Sequence, residues 1–423
     1  MDVDLENFGL FDPAVQQCPY PYYAEMRAHD PVHEADMFGI PVHLVTRHED
    51  VLTVLRDPTT FSSSFGNTGV PPNSELGAKM RQLHEKLDGY EQVATMLTID
   101  PPEQTRYRKL VSKAFTPKAI AQLEPAIRDL SRSLVDAFID EGSCEFVEAF
   151  AVPLPVTVIA RALNVPDDRL ADFKRWSDDS IAGIGTARSD DELLEAQRGI
   201  IEFQHYFADQ LEQRRSEPQD DILTNLLNAR IDKSEDPDLP DDPLTVPEML
   251  SIIQQLLVAG NETTTKVLTE MIRLLAENPN EWDRLREDPS RAAAVAEESL
   301  RLATPTQGMF RIVTTDTELG GTPLPAGSRL VVMFASANRT EDVFDNPDDF
   351  VPDRLSLSNH LAFGKGTHYC LGANLSRLEL RVALEELSTR LTTLSLPDSN
   401  EFRYDPSFML RGLTQLDLAF TRD

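Results

Sequence analysis

The stretch Phe363-Gly364-Lys365-Gly366-Thr367-His368-Tyr369-Cys370-Leu371-Gly372 decides the fold of this chain. It is a glycine-punctuated loop that presents one cysteine where an apolar-periodic segment, predicted to be a helix, begins. Glycine lacks a β-carbon, so Gly364, Gly366 and Gly372 allow positive φ angles and let the backbone approach a flat partner closely. The free N–H groups at the start of the predicted helix would stabilise a thiolate at Cys370. The pattern therefore predicts that Cys370 is a metal ligand.

Two other residues of this loop support a metal site. His368 can donate a hydrogen bond to an anionic cofactor group, and Phe363 can shield the sulfur from water. A structural cysteine at a glycine-rich turn would explain an isolated Cys-x-Gly, but it does not explain ten residues in this register. The loop resembles the haem-binding loop of the cytochrome P450 superfamily, in its soluble bacterial form. The resemblance implies haem b with Cys370 as the axial ligand of the iron. It also implies haem contacts from Phe363, Gly364, His368 and Gly372.

The longest helical pattern runs from Thr245 to Asn278. Thr245-Val246-Pro247-Glu248 has the form of a capping box with proline in the first turn, and Asn278-Pro279 supplies a stop. About 32 residues at 1.5 Å each give ~48 Å, enough to cross a whole domain, so a central helix is predicted. Its apolar spacing is interrupted by the polar segment at residues 259–265. Such local rule-breaking is expected at functional sites, although a helix bend with solvated polar groups is the alternative.

This polar segment resembles the oxygen-activating helix of the same family. By that match Glu262 and Thr263 are the acid and the alcohol that organise water and deliver protons, and Ala259 contacts the haem. Heterolytic O–O cleavage needs two protons in a largely dry pocket, which agrees with this assignment.

Glu298 and Arg301 stand at i and i+3 of a predicted helix and can pair. Taken alone they suggest an exposed ion pair of little consequence. They also resemble the Glu-x-x-Arg element of the family, and Arg354 matches the arginine that completes its buried charged network. The implied role of the three residues is structural.

Three residues are implied to hold the haem propionates. Arg311 lies on a predicted core strand, where a buried arginine needs an anion. The segment from Asp100 to Arg108 resembles the helix entry that clamps the propionates. Gln104 stands where the commonest bacterial pattern has histidine, and it can still donate a hydrogen bond, whereas Arg108 keeps the pattern.

The composition limits the partners and the compartment. The 423 residues carry a formal net charge of −31, which argues against a nucleic-acid partner. The cysteines Cys18, Cys144 and Cys370 lie far apart, which argues against disulfide scaffolds and zinc sites. No secretory leader and no apolar stretch long enough to span a bilayer is recognised, so a soluble, cytoplasmic protein without a membrane anchor is expected. A monomer is also expected.

One basic segment, from Arg106 to Lys118, interrupts the acidic sequence. Either a solvated helix face or a surface that steers an acidic electron-transfer protein explains its charge. With the resemblance, we expect an acidic ferredoxin to dock near a set of basic residues: Arg106, Arg108, Lys109, Lys113 and Lys365.

The resemblance covers nearly the whole chain and implies a mainly α fold with small β-sheets. It implies one haem domain over residues 1–423, a triangular helical prism with the long helix over the haem. Its β-rich part would span about 20–60 and 305–335, its helix-rich part about 100–300 and 370–390, with no fused reductase. The substrate pocket is expected to be apolar and to include the following residues: Met96, Leu97, Val258, Ala259, Thr306, Phe408 and Met409.

The sequence therefore predicts a monooxygenase that inserts one atom of O₂ into a lipophilic small molecule, by hydroxylation or epoxidation. Its electrons would come from NAD(P)H through an external ferredoxin and ferredoxin reductase. A peroxygenase of the same fold is one alternative, although it would not need Glu262 and Thr263. A haem-binding sensor or carrier without catalysis is the other, and it would usually bring an output module, which is not recognised in the sequence.

Overall fold

A computed structural model describes residues 3–5, 8–65, 70 and 73–422. The described chain is mainly helical, as predicted. Its α-helices, in chain order, are α1 (Pro13–Gln17), α2 (Tyr20–His29), α3 (His48–Arg56), α4 (Glu75–Lys86), α5 (Glu103–Ser112), α6 (Pro117–Ala121), α7 (Glu124–Phe138), α8 (Pro153–Ala162), α9 (Leu170–Ile181), α10 (Asp190–Ser216), α11 (Ile222–Asn228), α12 (Val246–Glu277), α13 (Pro279–Glu287), α14 (Ala292–Ala303), α15 (Phe334–Ala337) and α16 (Ala373–Arg390). Helix α8 is preceded by a π-helical turn at Val147–Ala151.

The strands are short and form small sheets. In chain order they are β1 (Val32–Met37), β2 (Ile40–Val45), β3 (Phe61–Ser62), β4 (Ser143–Glu145), β5 (Gly308–Val313), β6 (Thr317–Leu319), β7 (Thr322–Leu324), β8 (Arg329–Met333), β9 (Leu391–Ser395) and β10 (Asp417–Arg422). The largest sheet has the order β1-β2-β8-β5-β3, in which β2 and β8 run parallel and β5 runs antiparallel to β8. Strands β4, β10 and β9 form a second sheet, and β6 pairs with β7. Strands β1 and β2 lie within residues 20–60, and β5 to β8 lie within residues 305–335, the two stretches that the resemblance implies to be β-rich.

The chain divides into two compact units. The first comprises residues 1–61, 117–155 and 262–423, and the second comprises 62–116 and 156–261. The boundary falls inside α12, so the two halves of the longest helix belong to different units. The first unit contains an apolar core beneath the largest sheet, in which Val45, Val332 and Leu361 are buried. The prediction of a single domain over the whole chain stays a prediction.

Helix α12 begins and ends where the sequence predicts. The Thr245 backbone N–H donates to Glu248 Oε2 at 2.6 Å, and the Glu248 N–H donates to Thr245 Oγ1 at 3.4 Å, which is a reciprocal capping box. The helix ends at Glu277, immediately before Asn278-Pro279. The polar segment at 259–265 stays α-helical throughout, so the expected interruption affects the side chains and not the backbone.

In the second unit, the start of α12 is tied to α5. Glu248 accepts a hydrogen bond of 2.5 Å from the Tyr107 hydroxyl and pairs with Arg106 at 3.4 Å. Burial raises the pKa of Tyr107 to about 12, and the Glu248 carboxylate adds to the shift. Tyr107 therefore remains a neutral donor at all physiological pH values.

No helix in the part of the chain that the structure describes is long and apolar enough to cross a bilayer.

Candidate functional site

The loop that carries Cys370 has the backbone geometry that its glycines predict. Gly364 and Gly366 have φ angles of 64° and 68°, and a β-carbon at Gly366 would overlap the Leu55 carbonyl oxygen. The Cys370 N–H donates to the Phe363 carbonyl at 2.9 Å, which closes the loop. Helix α16 starts at Ala373 with Gly372 as its N-cap. The helix thus begins three residues after Cys370, later than the sequence predicts, because Leu371 and Gly372 form a turn.

A side-chain cluster that was not predicted from the sequence holds Phe363. The Arg377 guanidinium lies over the Phe363 ring, with its carbon 4.5 Å from the ring centroid, and donates to the Tyr369 hydroxyl at 3.0 Å. Arg377 also forms an ion pair with Glu297, which contacts His360 Nε2 at 2.8 Å. Phe363 and Tyr369, which both precede Cys370 in the loop, are therefore positioned by one arginine. Only one member of this cluster could have been noticed in the sequence, namely Glu297, because it directly precedes the recognised Glu298.

The carboxyl group of Glu297 has a strongly perturbed pKa. Burial alone would raise it, but hydrogen bonds from His360 and Arg377 outweigh burial and lower the pKa to about 2. A depressed pKa stabilises the fold above the unfolded value of about 4.3, and this stabilisation is lost as the pH falls towards 2.

We expect Glu297→Gln to cost roughly 2–3 kcal/mol of unfolding free energy at pH 6, and less at each lower pH. Urea unfolding of both proteins at pH 6.0, 4.0 and 3.0 measures this difference. Glu318→Gln, at an exposed acid on β6, is the matched control and should show no such trend. A Glu297→Gln deficit that stays constant from pH 6 to pH 3 would contradict the ion-pair interpretation.

The structure brings Glu298, Arg301 and Arg354 together in the first unit. Glu298 accepts two hydrogen bonds of 2.7 Å from Arg301 and one of 2.9 Å from Arg354 Nε. The Glu298 and Arg301 side chains are 0% exposed. Arg301 also donates to the backbone carbonyls of Asn338 and Pro347. These charges are buried and fully hydrogen-bonded, as a structural network requires.

Helix α12 gives the threonines of its polar segment separate surroundings. Thr264 Oγ1 lies 3.4 Å from Ser376 Oγ on α16, and Thr265 donates to the Ala151 carbonyl at 3.1 Å. Thr263 is half-buried and Glu262 is buried, next to Lys266. The residues predicted for proton delivery therefore lie on a helix whose other hydroxyl groups are used in packing.

Glu379 is a second acid near this helix that was not predicted. It is fully buried on α16, among the leucines of that helix's apolar face. Burial raises its pKa well above the usual value, and the nearby Thr264 hydroxyl offsets this only in part. Burial therefore favours the neutral acid over the carboxylate at Glu379. An acid between Leu378 and Leu380 was the available sequence signal.

Among the residues predicted to hold the propionates, Arg311 lies on β5 in the first unit and is buried. Gln104 and Arg108 lie on α5 in the second unit, where Gln104 is buried and Arg108 is half-buried. A buried guanidinium such as that of Arg311 favours an anionic partner. Arg311 and the Cys370 thiol, which both belong to the first unit, fit the anionic groups and the iron of a haem.

The predicted pocket residues fall in both units. In the first, Thr306 forms a β-bridge with Leu410, and the Gln307 N–H donates to the Met409 carbonyl at 2.8 Å. The Phe408 ring packs edge-on against Phe11 at 5.5 Å. In the second unit, Met96 is half-buried, and Leu97 and Ala259 are exposed. Val258 is half-buried.

The residues predicted to dock a ferredoxin differ in how exposed their side chains are and in their ion pairs. Arg106 is buried and pairs with Glu248, and Lys109 pairs with Asp236. Lys113 and Lys365 are exposed. The charge of Arg106 is therefore not accessible at the surface, because Arg106 pairs with Glu248 at the start of α12. The charges of Lys113 and Lys365 are accessible.

Comparison with known proteins identifies relatives along almost the whole chain. The family model described as Cytochrome P450 matches residues 193–411. Cytochrome P450 109 of Bacillus spizizenii is 37% identical over 95% of this chain and 92% of its own length. The erythromycin C-12 hydroxylase of Saccharopolyspora erythraea is 38% identical over 89% of this chain and 88% of its own. The solved structure of cytochrome P450 CYP109Q5 from Chondromyces apiculatus is 36% identical and covers 98% of both chains with a TM-score of 0.84. The predicted fold class is confirmed.

Proposed function

Because this chain belongs to the cytochrome P450 family, we propose that it inserts one oxygen atom of O₂ into a lipophilic small molecule. The family implies a haem cofactor, and relatives named as hydroxylases support a monooxygenase. The observation that carries the proposal is the loop from Phe363 to Gly372, which presents Cys370 beside two glycines in the left-handed region.

Cys370 would hold the haem iron, and Arg311, Arg108, Gln104 and His368 would bind its anionic groups. When bound, the haem supplies the redox chemistry, to which a thiolate ligand donates electron density that favours O–O cleavage. Phe363, fixed by the Arg377 guanidinium, would exclude water from the thiolate sulfur. In these roles the protein would position the haem and exclude solvent from the sulfur.

Glu262 and Thr263 would deliver protons to the reaction site. Thr263 Oγ1 is the hydroxyl that can order a water molecule, and the adjacent Glu262 carboxyl can replace the proton that it gives up. Both residues lie on a continuous helix that fixes their spacing. Exclusion of water from the pocket limits the supply of protons, which favours oxygen transfer over the release of peroxide.

We expect Thr263→Ala to separate NADH oxidation from product formation. The product formed per NADH should fall about tenfold, with hydrogen peroxide released, because an ordered donor contributes at least this much. Assays of NADH, peroxide and product measure the coupling. Thr265→Ala is the matched control, since its hydroxyl donates to the Ala151 carbonyl, and it should stay coupled. Fully coupled turnover of Thr263→Ala would remove this hydroxyl from the proton path.

Electrons would come from NAD(P)H through an external ferredoxin and its reductase. The exposed Lys113 and Lys365 are the best candidates to contact an acidic partner, because their charges are accessible. Arg108 and Lys109 would contribute less, since both are half-buried and Lys109 already pairs with Asp236.

The ferrous carbon-monoxide difference spectrum tests the proposal first. A red-shifted, thiolate-type Soret band is expected, and a histidine-type band or no bound haem would refute it. Titration with a terpene, a steroid, a fatty acid and a macrolide then identifies the substrate class, because a ligand that displaces water shifts the ferric iron from low to high spin. We include the macrolide because one relative is named as an erythromycin hydroxylase.

The same preparation separates the alternative functions. A monooxygenase needs NADH, ferredoxin and reductase together, whereas a peroxygenase turns over with hydrogen peroxide alone. A sensor or carrier binds ligands but forms no product under either condition. The acid and alcohol at Glu262 and Thr263 favour the monooxygenase.

A further inference from the structure

A buried lysine lies one helical turn beyond Glu262. Lys266 is 7% exposed, and its Nζ is 3.8 Å from Glu262 Oε2. On its other side the ammonium forms a closer ion pair with Asp405 Oδ2. Asp405 belongs to the C-terminal segment of the first unit, and its side chain is 39% exposed. The ammonium therefore lies between the carboxylate predicted to deliver protons and a carboxylate that reaches solvent.

The surrounding backbone is shaped to accept this lysine. A β-carbon at Gly412 would overlap Lys266 Cγ and come within 2.8 Å of its Cβ and Cδ. The Asp405 N–H donates to the Gly412 carbonyl at 3.0 Å, so the acid that pairs with Lys266 and the glycine that makes room for it are held together. Burying an ammonium group costs free energy unless it is paired with an anion. The contacts of Asp405 and Gly412 both support the pairing of Lys266.

Lys266 is poorly suited to carry protons itself. The reference pKa of a lysine ammonium lies far above that of a carboxylic acid, so an ammonium is a poor proton donor to a carboxylate. An ammonium 3.8 Å from a carboxylate instead acts through its charge and its direction. It attracts one carboxylate oxygen towards itself and so orients the carboxyl group.

We propose that Lys266, anchored by Asp405, is a positioning residue that sets the direction of the Glu262 carboxyl group. The proposal rests on the proposed function, since it assigns Lys266 a role through the acid of the proton path. It also makes the segment 405–412 part of that path. The same segment carries Phe408 and Met409, which are predicted to face the substrate.

The kinetic test compares Lys266→Met with Lys266→Arg. Both are measured with NADH, a plant-type ferredoxin and its reductase, and the compound of the above panel that gives the largest spin shift in the wild type. For Lys266→Met we expect product per NADH to fall about fivefold to tenfold and the solvent deuterium isotope effect on turnover to change at least twofold. Lys266→Arg, which keeps the charge, should recover at least half of the coupling. Lys79→Met, at an exposed lysine paired with Glu75 on α4, is the control and should match the wild type.

A second measurement does not depend on turnover. Acetylation of lysine amines in the purified protein, followed by mass spectrometry, should label Lys266 slowly in the wild type. It should label Lys266 at least tenfold faster in Asp405→Asn and in Gly412→Ala. Fast labelling of Lys266 in the wild type would overturn the buried pairing.

Two further outcomes are decisive. Wild-type coupling and isotope effect in Lys266→Met would overturn the positioning role, and so would a coupling loss in Lys266→Arg as large as in Lys266→Met. If the wild type shows a thiolate-type band and turns over, these results concern Lys266 alone. If the wild type lacks that band, the proposed function has failed, while the labelling result still decides whether the pairing exists.

Discussion

Replacing Cys370 with alanine is expected to abolish the thiolate-type Soret band of the ferrous carbon-monoxide complex and all oxygen insertion. The sulfur is the only ligand that the loop from Phe363 to Gly372 offers as a thiolate, and alanine has no donor atom. The haem would be lost or bound weakly through its propionates, so its content after gel filtration should fall at least tenfold. Absorption spectra of the variant and the wild type, purified with added haem, measure both effects.

The other cysteines provide the control. Burial raises the pKa of Cys144 to about 12, and the neighbouring Glu145 and Asp417 add to the shift, so this thiol is protonated at neutral pH. A protonated thiol is a poor ligand. Cys144→Ala and Cys18→Ala should therefore keep the wild-type spectrum. A thiolate-type band that persists in Cys370→Ala would refute the assignment of the ligand.

The second large effect is expected from Glu298→Gln. The substitution keeps the shape of the side chain but leaves the buried charges of Arg301 and Arg354 without their carboxylate. Breaking a buried ion pair in this way costs about 3–5 kcal/mol. Since a typical domain has only about 5–15 kcal/mol of stability, much of the variant should fail to fold at 37 °C.

Urea unfolding at 15 °C, together with the soluble yield, measures this loss. Glu75→Gln removes an exposed ion pair with Lys79 and serves as the matched control, for which we expect a change within about 0.5 kcal/mol. Equal unfolding free energies for Glu298→Gln and Glu75→Gln would show that the network contributes no more than a surface pair.

Features with a local cause could be predicted from the sequence. The capping box at Thr245 and Glu248 and the stop at Asn278-Pro279 fixed both ends of α12, because helix termini depend on neighbouring residues. The recognised loop led to the correct family for the same reason, since its glycines and cysteine are contiguous. The start of α16 was less accurate, because two residues after Cys370 turn before the helix begins.

Features that depend on distant parts of the chain could not be predicted. Arg106 reads as part of a basic surface, yet its partner Glu248 lies 142 positions away. Lys266 pairs with Asp405 at a separation of 139, and only the folded chain reveals the space at Gly412. The pairing of Arg377 with Glu297 likewise depends on how α14 and α16 pack. Local patterns identify such residues, but tertiary packing selects their partners.

The short segment 405–412 has a practical consequence for engineering. It carries two residues predicted to face the substrate, the acid that anchors Lys266 and the glycine that accommodates it. A mutant library that randomises the whole segment to change selectivity would also vary how well oxygen use is linked to product. Screens that score only substrate consumption would then enrich variants that waste reducing equivalents. Libraries that keep Asp405 and Gly412 fixed and vary only Phe408 and Met409 would separate the two properties.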